Sequence, residues 1–210
     1  MPPKKNKRKT RERLLTAACE IFARDGFHNA RIADICRLAG ANVASVNYYF
    51  TNKANLYIET WKYAFLQFEV PAFSDAARDS PEELLRKYIN AIMKNFTIKG
   101  KLGYFSRLYL MELARPTGLI QDNWHEFIAP RRQKLLHIIR KIMGKNADDE
   151  KVLFCELSII NQCRTLLTVK HSDLEYLLNK KINKDLIKSL ADHIAEFSLA
   201  GIKAIGNLNK

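Results

Sequence analysis

At 210 residues with 47% hydrophobic side chains, the chain can bury one large core or two small ones, which excludes wholesale disorder. Its formal net charge of +13 raises the odds of a polyanionic partner without naming one. Residues 1–57 hold eleven Lys or Arg against four Asp or Glu, an excess of seven, so the positive end is the N-terminal end.

Residues 1–9, MPPKKNKRK, combine prolines with a cation run and read as a flexible basic arm, expected to follow phosphates or enter a minor groove if it meets DNA, or to act only as a solvated tail. From Thr10, a plausible N-cap, Leu14, Leu15, Ala18, Ile21 and Phe22 recur at three- and four-residue steps and predict an amphipathic helix that stops at Asp25-Gly26. A short helix over 32–39 is expected to bury Ile32, Ile35 and Leu38. Gly40 ends it, and a third helix follows over 43–50 with Val43 and Val46 inward. Asn52-Lys53 opens a long helix carrying Leu56, Trp61, Phe65 and Phe68. Ser80-Pro81-Glu82-Glu83 is a strong helix start, with Ser as cap, Pro in the first turn and Glu three after the Ser. Further helices are expected over 104–114, about 123–143 with a kink at Pro130, 148–169 and 184–205. No stretch alternates at period two, so the fold class is all-α, divided into the arm, a first helical domain over 10–70 whose pair of short helices lies at 31–50, and a body over 71–210.

The informative stretch is Arg31 to Phe50. Two short helices meet at Leu38-Ala39-Gly40-Ala41-Asn42, and the second turns Ala44, Ser45, Asn47 and Tyr48 outward: small or polar side chains with hydrogen-bonding tips. That suits a helix laid in a major groove, where bulk must be low and donors and acceptors must reach base edges. On the hairpin alone, an ordinary helical pair in a core fits as well. Around it stand Ile21-Phe22, Asp25-Gly26-Phe27, Asp34-Ile35, Leu38-Ala39-Gly40, Tyr48-Tyr49-Phe50 and Lys53. This series resembles the N-terminal domain of the TetR family of transcriptional regulators without gaps over some sixty residues. Ala30-Arg31 stands where the family has Thr or Ser to cap the second helix. Ala41-Asn42-Val43-Ala44-Ser45-Val46-Asn47 resembles the CecR-like subgroup, as do Glu112, Pro116-Thr117 and Ile128-Ala129-Pro130-Arg131 farther on; Met111 stands where a basic residue is expected.

The resemblance implies a ligand-responsive repressor acting as a homodimer on palindromic double-stranded operator DNA. It implies base-edge or groove contacts from Ser45, Asn47 and Tyr48, phosphate contacts from Tyr49 and Lys53, and backbone contacts from Arg31 and Asn42, with Ala44 against the groove. Apolar positions at Ile159, Ile160, Leu166 and Leu167, then Leu186, Ile187, Leu190, Ile194 and Phe197, leave room for a partner helix pair. Tyr104, Arg107, Glu112, Trp124 and Gln162 are candidates to line a pocket for an unidentified small-molecule effector, against the reading of the aromatics as core. His125, His137, His171 and His193 share no metal-ligand spacing, no nucleophile and base are set out together, and no phosphate loop occurs, so no metal, cofactor or catalytic role is expected. Cys19, Cys36, Cys155 and Cys163 are too scattered for a disulfide framework and read as buried thiols of a reducing compartment. No apolar run matches a membrane span and no hydrophobic segment follows the basic start, so no membrane partner and a cytoplasmic location are expected. The competing class is a helical enzyme or binding protein whose basic segment touches membranes or RNA; an effector-free activator is a third reading.

Overall fold

No proline or glycine intervenes between Lys4 and Thr10, and Lys and Arg are good helix formers. The first helix accordingly begins at Lys4, not Thr10, and the residues expected as a flexible arm are helical from Lys4 onward. Once the Leu14–Phe22 stripe has nucleated a helix, adding turns to its end carries little further penalty. An Arg8–Glu12 pair at 3.2 Å, one turn apart, supports the extension. The computed structural model describes residues 4–67, 79–97, 100–145 and 147–207; Phe68, expected on the fourth helix, lies outside them.

The described helices are α1 (Lys4–Asn29), α2 (Ile32–Ala39), α3 (Val43–Phe50), α4 (Lys53–Leu66), α5 (Pro81–Thr97), α6 (Tyr104–Ala114), α7 (Gln121–Met143), α8 (Asp149–Thr168), α9 (His171–Leu178) and α10 (Lys184–Asn207), with a 3-10 turn at Gly100–Gly103. They gather into two compact units. The first holds α1 to α4, α6 and α7 as far as Phe127; the second holds α5, the rest of α7, and α8 to α10.

In the first unit, α1 breaks at Gly26, whose φ of 73° and ψ of 171° suit glycine. A Cβ there would also lie 2.9 Å from Met111 Cε on α6. Leu14, Leu15, Ala18 and Phe22 of α1 are buried, as are Ile35, Val46, Phe50, Leu56, Tyr57 and Trp61; α1 packs on α2 and α4, and Phe22 meets Tyr57 edge-on at 4.9 Å. Helix α6 packs on α1 and α4. Trp61 meets Phe105 edge-on at 5.5 Å and Trp124 at 6.0 Å. The Tyr57 hydroxyl donates to Glu112 at 2.8 Å, and the other Glu112 oxygen accepts from the Thr117 N–H at 2.8 Å and its hydroxyl at 2.9 Å. Glu112 thereby ties α4 to the turn that follows α6.

In the second unit, the expected capping box forms: the Ser80 N–H donates to Glu83 at 2.7 Å and the Glu83 N–H to Ser80 Oγ at 3.2 Å. Helices α5, α8 and α10 pack on one another, and ion pairs Arg86–Glu196 and Glu82–Lys203 border the α5–α10 seam. Pro130 lies inside α7. Helix α9, which has no counterpart in the sequence reading, buries Leu174 and ends at Asn179 with φ 49°.

All four cysteines are free and buried. Burial pushes the Cys19 and Cys163 thiols up to about 12 and raises those of Cys36 and Cys155. The thiolate is the reactive form, so a thiol reagent at pH 8 should label none of the four until the chain unfolds. Rapid labelling of Cys163 in the folded protein would contradict this packing. No single described helix is long and apolar enough to cross a membrane.

Candidate nucleic-acid interface

The two short helices owe their arrangement to three local devices. Gly40, at φ 59° and ψ 43°, takes the left-handed conformation that closes α2, and the Ala41 N–H bonds back to the Cys36 carbonyl at 2.9 Å. Asn42 caps α3, its side-chain oxygen accepting from the Ser45 N–H at 2.9 Å and the Ser45 hydroxyl at 3.0 Å. Asn52 caps α4 in the same way, accepting from the Asn55 N–H at 2.8 Å. Between the last two helices, Thr51 holds a φ of 68°, a region few side chains adopt.

Val46 and Phe50 are buried and anchor α3. Val43 and Leu38 are each 50% exposed, contrary to the expected inward placement. With only eight residues each, α2 and α3 span about two turns, so Ile35, Cys36 and Ala39 on one and Val46 and Phe50 on the other fill the inward face. Ala44 and Asn47 are exposed, Tyr48 is 63% exposed, and Ser45 and Tyr49 are partly covered. Ser45 therefore reaches outward less than expected, its hydroxyl being engaged by Asn42. Arg31 is exposed at the N-cap position of α2 and makes no capping hydrogen bond. Lys53 donates to the His28 carbonyl at 3.3 Å and lies 4.8 Å from the centre of the Phe27 ring; partial burial lowers its pKa.

Two further cations stand at this surface: Lys7, expected only as part of the basic arm, and Arg13, which the sequence did not single out. Lys7 donates to the Tyr48 hydroxyl at 2.9 Å. The Arg13 guanidinium lies beside the α2–α3 turn, 3.9 Å from where a Gly40 Cβ would sit. Lys7 and Arg11 are one helical turn apart, and Arg11 pairs with Glu59 at 2.5 Å while lying 5.4 Å from the Phe50 ring centre. Continuing the helical phase of α1 backward from Arg11 is the signal that would have turned Lys7 toward α3.

Residues 14–60 match the bacterial regulatory proteins of the tetR family, and residues 81–202 match the C-terminal domain of the HTH-type transcriptional dual regulator CecR, more than half of the chain. The chain belongs to the TetR family, with a CecR-type C-terminal domain. It is a helix-turn-helix, DNA-binding transcriptional regulator, a class distinct from enzymes. It is similar to the transcriptional repressor NicS of Pseudomonas putida, 24% identical over 93% of each chain. Its fold resembles the fatty acid degradation regulator FadR of Bacillus halodurans, with a TM-score of 0.69 at 18% identity over 91% of this chain and 95% of that one. It also resembles Bacillus subtilis FadR, solved in complex with stearoyl-CoA, with a TM-score of 0.67 at 17% identity over 90% of this chain and 98% of that one.

Of the effector-pocket candidates in this TetR-family chain, Tyr104, Arg107, Glu112 and Trp124 fall in the first unit and Gln162 in the second. Arg107 lies 4.7 Å from the centre of the Tyr104 ring and donates to the Gly100 carbonyl at 2.8 Å, while the Tyr104 hydroxyl donates to Glu20 at 3.3 Å. Trp124 stacks on Tyr109 at 5.9 Å. Gln162 donates to the Ser158 carbonyl one turn back at 3.3 Å. Among the described residues, no cluster of three His, Cys, Asp or Glu is placed to hold a metal ion.

Proposed function

We propose that this regulator is a ligand-responsive repressor that acts as a homodimer on a palindromic operator, reading each half-site with α3. The observation that carries the reading is the outer face of α3, where Ala44, Asn47 and Tyr48 are exposed, with Lys7 at Tyr48 and Arg13 beside the turn that leads into the helix. Small and polar tips flanked by cations fit a groove between two phosphate ridges. Ser45, Asn47 and Tyr48 take the base edges; Arg31, Asn42, Tyr49 and Lys53 take the backbone. Lys53 can exchange the His28 carbonyl for a phosphate, which as an anion is the stronger acceptor.

Pairing of two chains is supported by apolar and small side chains facing outward on neighbouring helices. On α8 these are Leu153, Phe154 and Leu157; on α10 they are Phe197 and, at helical spacing from it, Ala200 and Ala204. Of the apolar positions read on these two helices, Ile159, Leu166 and Ile194 are buried within their own unit. Response to an effector is supported by the helical body and by the FadR fold relative that carries an acyl-CoA. Effector binding would then shift the population between operator-competent and operator-incompetent states. The reading places the protein in the cytoplasm, with DNA.

Mobility shifts on DNA flanking the gene, run at several salt concentrations, test the reading. Lys53→Ala should weaken all duplexes alike and make the slope of log K against log salt shallower by about 0.9 for each phosphate left without its cation. Asn47→Ala should instead flatten discrimination at particular base pairs, by about 1–3 kcal/mol where the amide had made a bidentate pair with a base. An unchanged slope for the first, or intact discrimination for the second, sets the assigned roles aside.

A further inference from the structure

The basic run at the start of α1 does not present itself uniformly. Arg8 turns back to Glu12 and Lys9 is exposed, whereas Lys7 shares the α1 face of Arg11 and meets α3. Its ammonium donates to the Tyr48 hydroxyl at 2.9 Å and lies 5.2 Å from the centre of that ring. Tyr49 abuts the Tyr48 ring edge-on at 4.9 Å. A tyrosine that is 63% exposed is otherwise free to change rotamer; here the ammonium at its tip and the ring at its side hold one orientation.

We propose that Lys7 is a specificity-determining positioning residue, which fixes the Tyr48 phenol as a hydrogen-bond donor toward an acceptor on the edge of a base. A phenol has one proton to donate and lone pairs to accept with, and Lys can only donate, so the contact occupies the accepting side of the oxygen. Accepting from a charged group also polarises the phenol O–H and strengthens it as a donor. Lys7 is an ammonium at neutral pH in any case, and the hydrogen bond to Tyr48 raises its pKa further. In the major groove the acceptors are purine N7, guanine O6 and thymine O4; a phosphate oxygen offers the same chemistry without sequence information. The inference rests on the reading above, in which the outer face of α3 meets DNA.

The full-length protein, with Lys7→Met, Lys7→Arg, Tyr48→Phe and the Lys7→Met/Tyr48→Phe double variant, is used to select binders from a randomised duplex library. Each protein's affinity for the preferred and for scrambled duplexes is then measured at several salt concentrations. Lys7→Met and Tyr48→Phe should each relax preference at the same base pair by roughly three- to ten-fold, as removal of one hydrogen bond implies. The double variant should lose no more than either, and Lys7→Arg should keep most of the preference. A base analogue lacking the acceptor at that pair should weaken the wild type and leave Tyr48→Phe indifferent, which separates a base edge from a phosphate. If Tyr48→Phe relaxes preference and Lys7→Met only lowers affinity uniformly with a shallower salt slope, Lys7 is a phosphate contact and the inference is overturned while the reading of α3 stands. If Tyr48→Phe leaves preference intact, the reading of α3 at Tyr48 fails and takes the inference with it.

Discussion

Phe197→Asp should yield a monomer that binds operator DNA at least 100-fold more weakly than the parent, because two linked readers lose the about 10²–10⁴-fold gain of binding together. Phe197 is 63% exposed on α10 and stacks at 6.2 Å on His193, one turn before it. If this face pairs with a second copy, an aspartate there would place a charge in an apolar seam, a penalty of several kcal/mol where it goes unpaired. In the separated chain the same residue faces water, so folding should be unaffected. Sedimentation at micromolar concentration gives the mass directly, and thermal melting checks the fold. A variant of unchanged mass would remove this face from the interface, and a parent sedimenting at the 24.3 kDa of one chain would remove the dimer altogether.

Trp61→Ala should destabilise the first unit by about 3–5 kcal/mol, the range for emptying a fully buried large aromatic. Trp61 is 1% exposed and packs edge-on against Tyr57, Phe105 and Trp124, joining α4, α6 and α7. The neighbours are themselves large rings, so the space left behind cannot close by small adjustments. Trp61→Phe keeps part of the ring packing and should lose much less. Urea unfolding followed by far-UV circular dichroism measures both variants. A loss under about 1.5 kcal/mol for the alanine variant would mean that the site collapses around the gap more readily than its packing implies.

Much of the reading unit was legible because its signals are local. Gly40 needs its positive φ, and Asn42 and Asn52 cap the helices that follow them, while in the second unit Ser80 with Glu83 closes a box, all within four residues of chain. What escaped depends on tertiary neighbours. Lys4–Lys9 carries no apolar periodicity and so resembles a solvated tail, yet it continues a helix nucleated downstream and finds Tyr48, 41 positions away from Lys7. Val43 and Leu38 are apolar residues on a surface, which hydrophobicity alone does not foresee. Helix α9 is eight residues long, and Leu174, Leu177 and Leu178 make only a single turn of apolar periodicity. Glu112 joins Tyr57 and Thr117, and its bond to Tyr57 spans 55 positions, a pairing that only the fold brings about.

The helical start of α1 also sets how far its charges can travel. In an extended tail, the six residues from Lys4 to Lys9 would span about 20 Å, enough to cross from one strand of a duplex to a neighbouring groove. Wound as a helix at about 1.5 Å per residue, they span roughly 9 Å. Such a segment is a short stub of concentrated charge that stays beside the helix it grows from. Whatever its charges meet must therefore lie close to the start of α1, as Tyr48 does for Lys7.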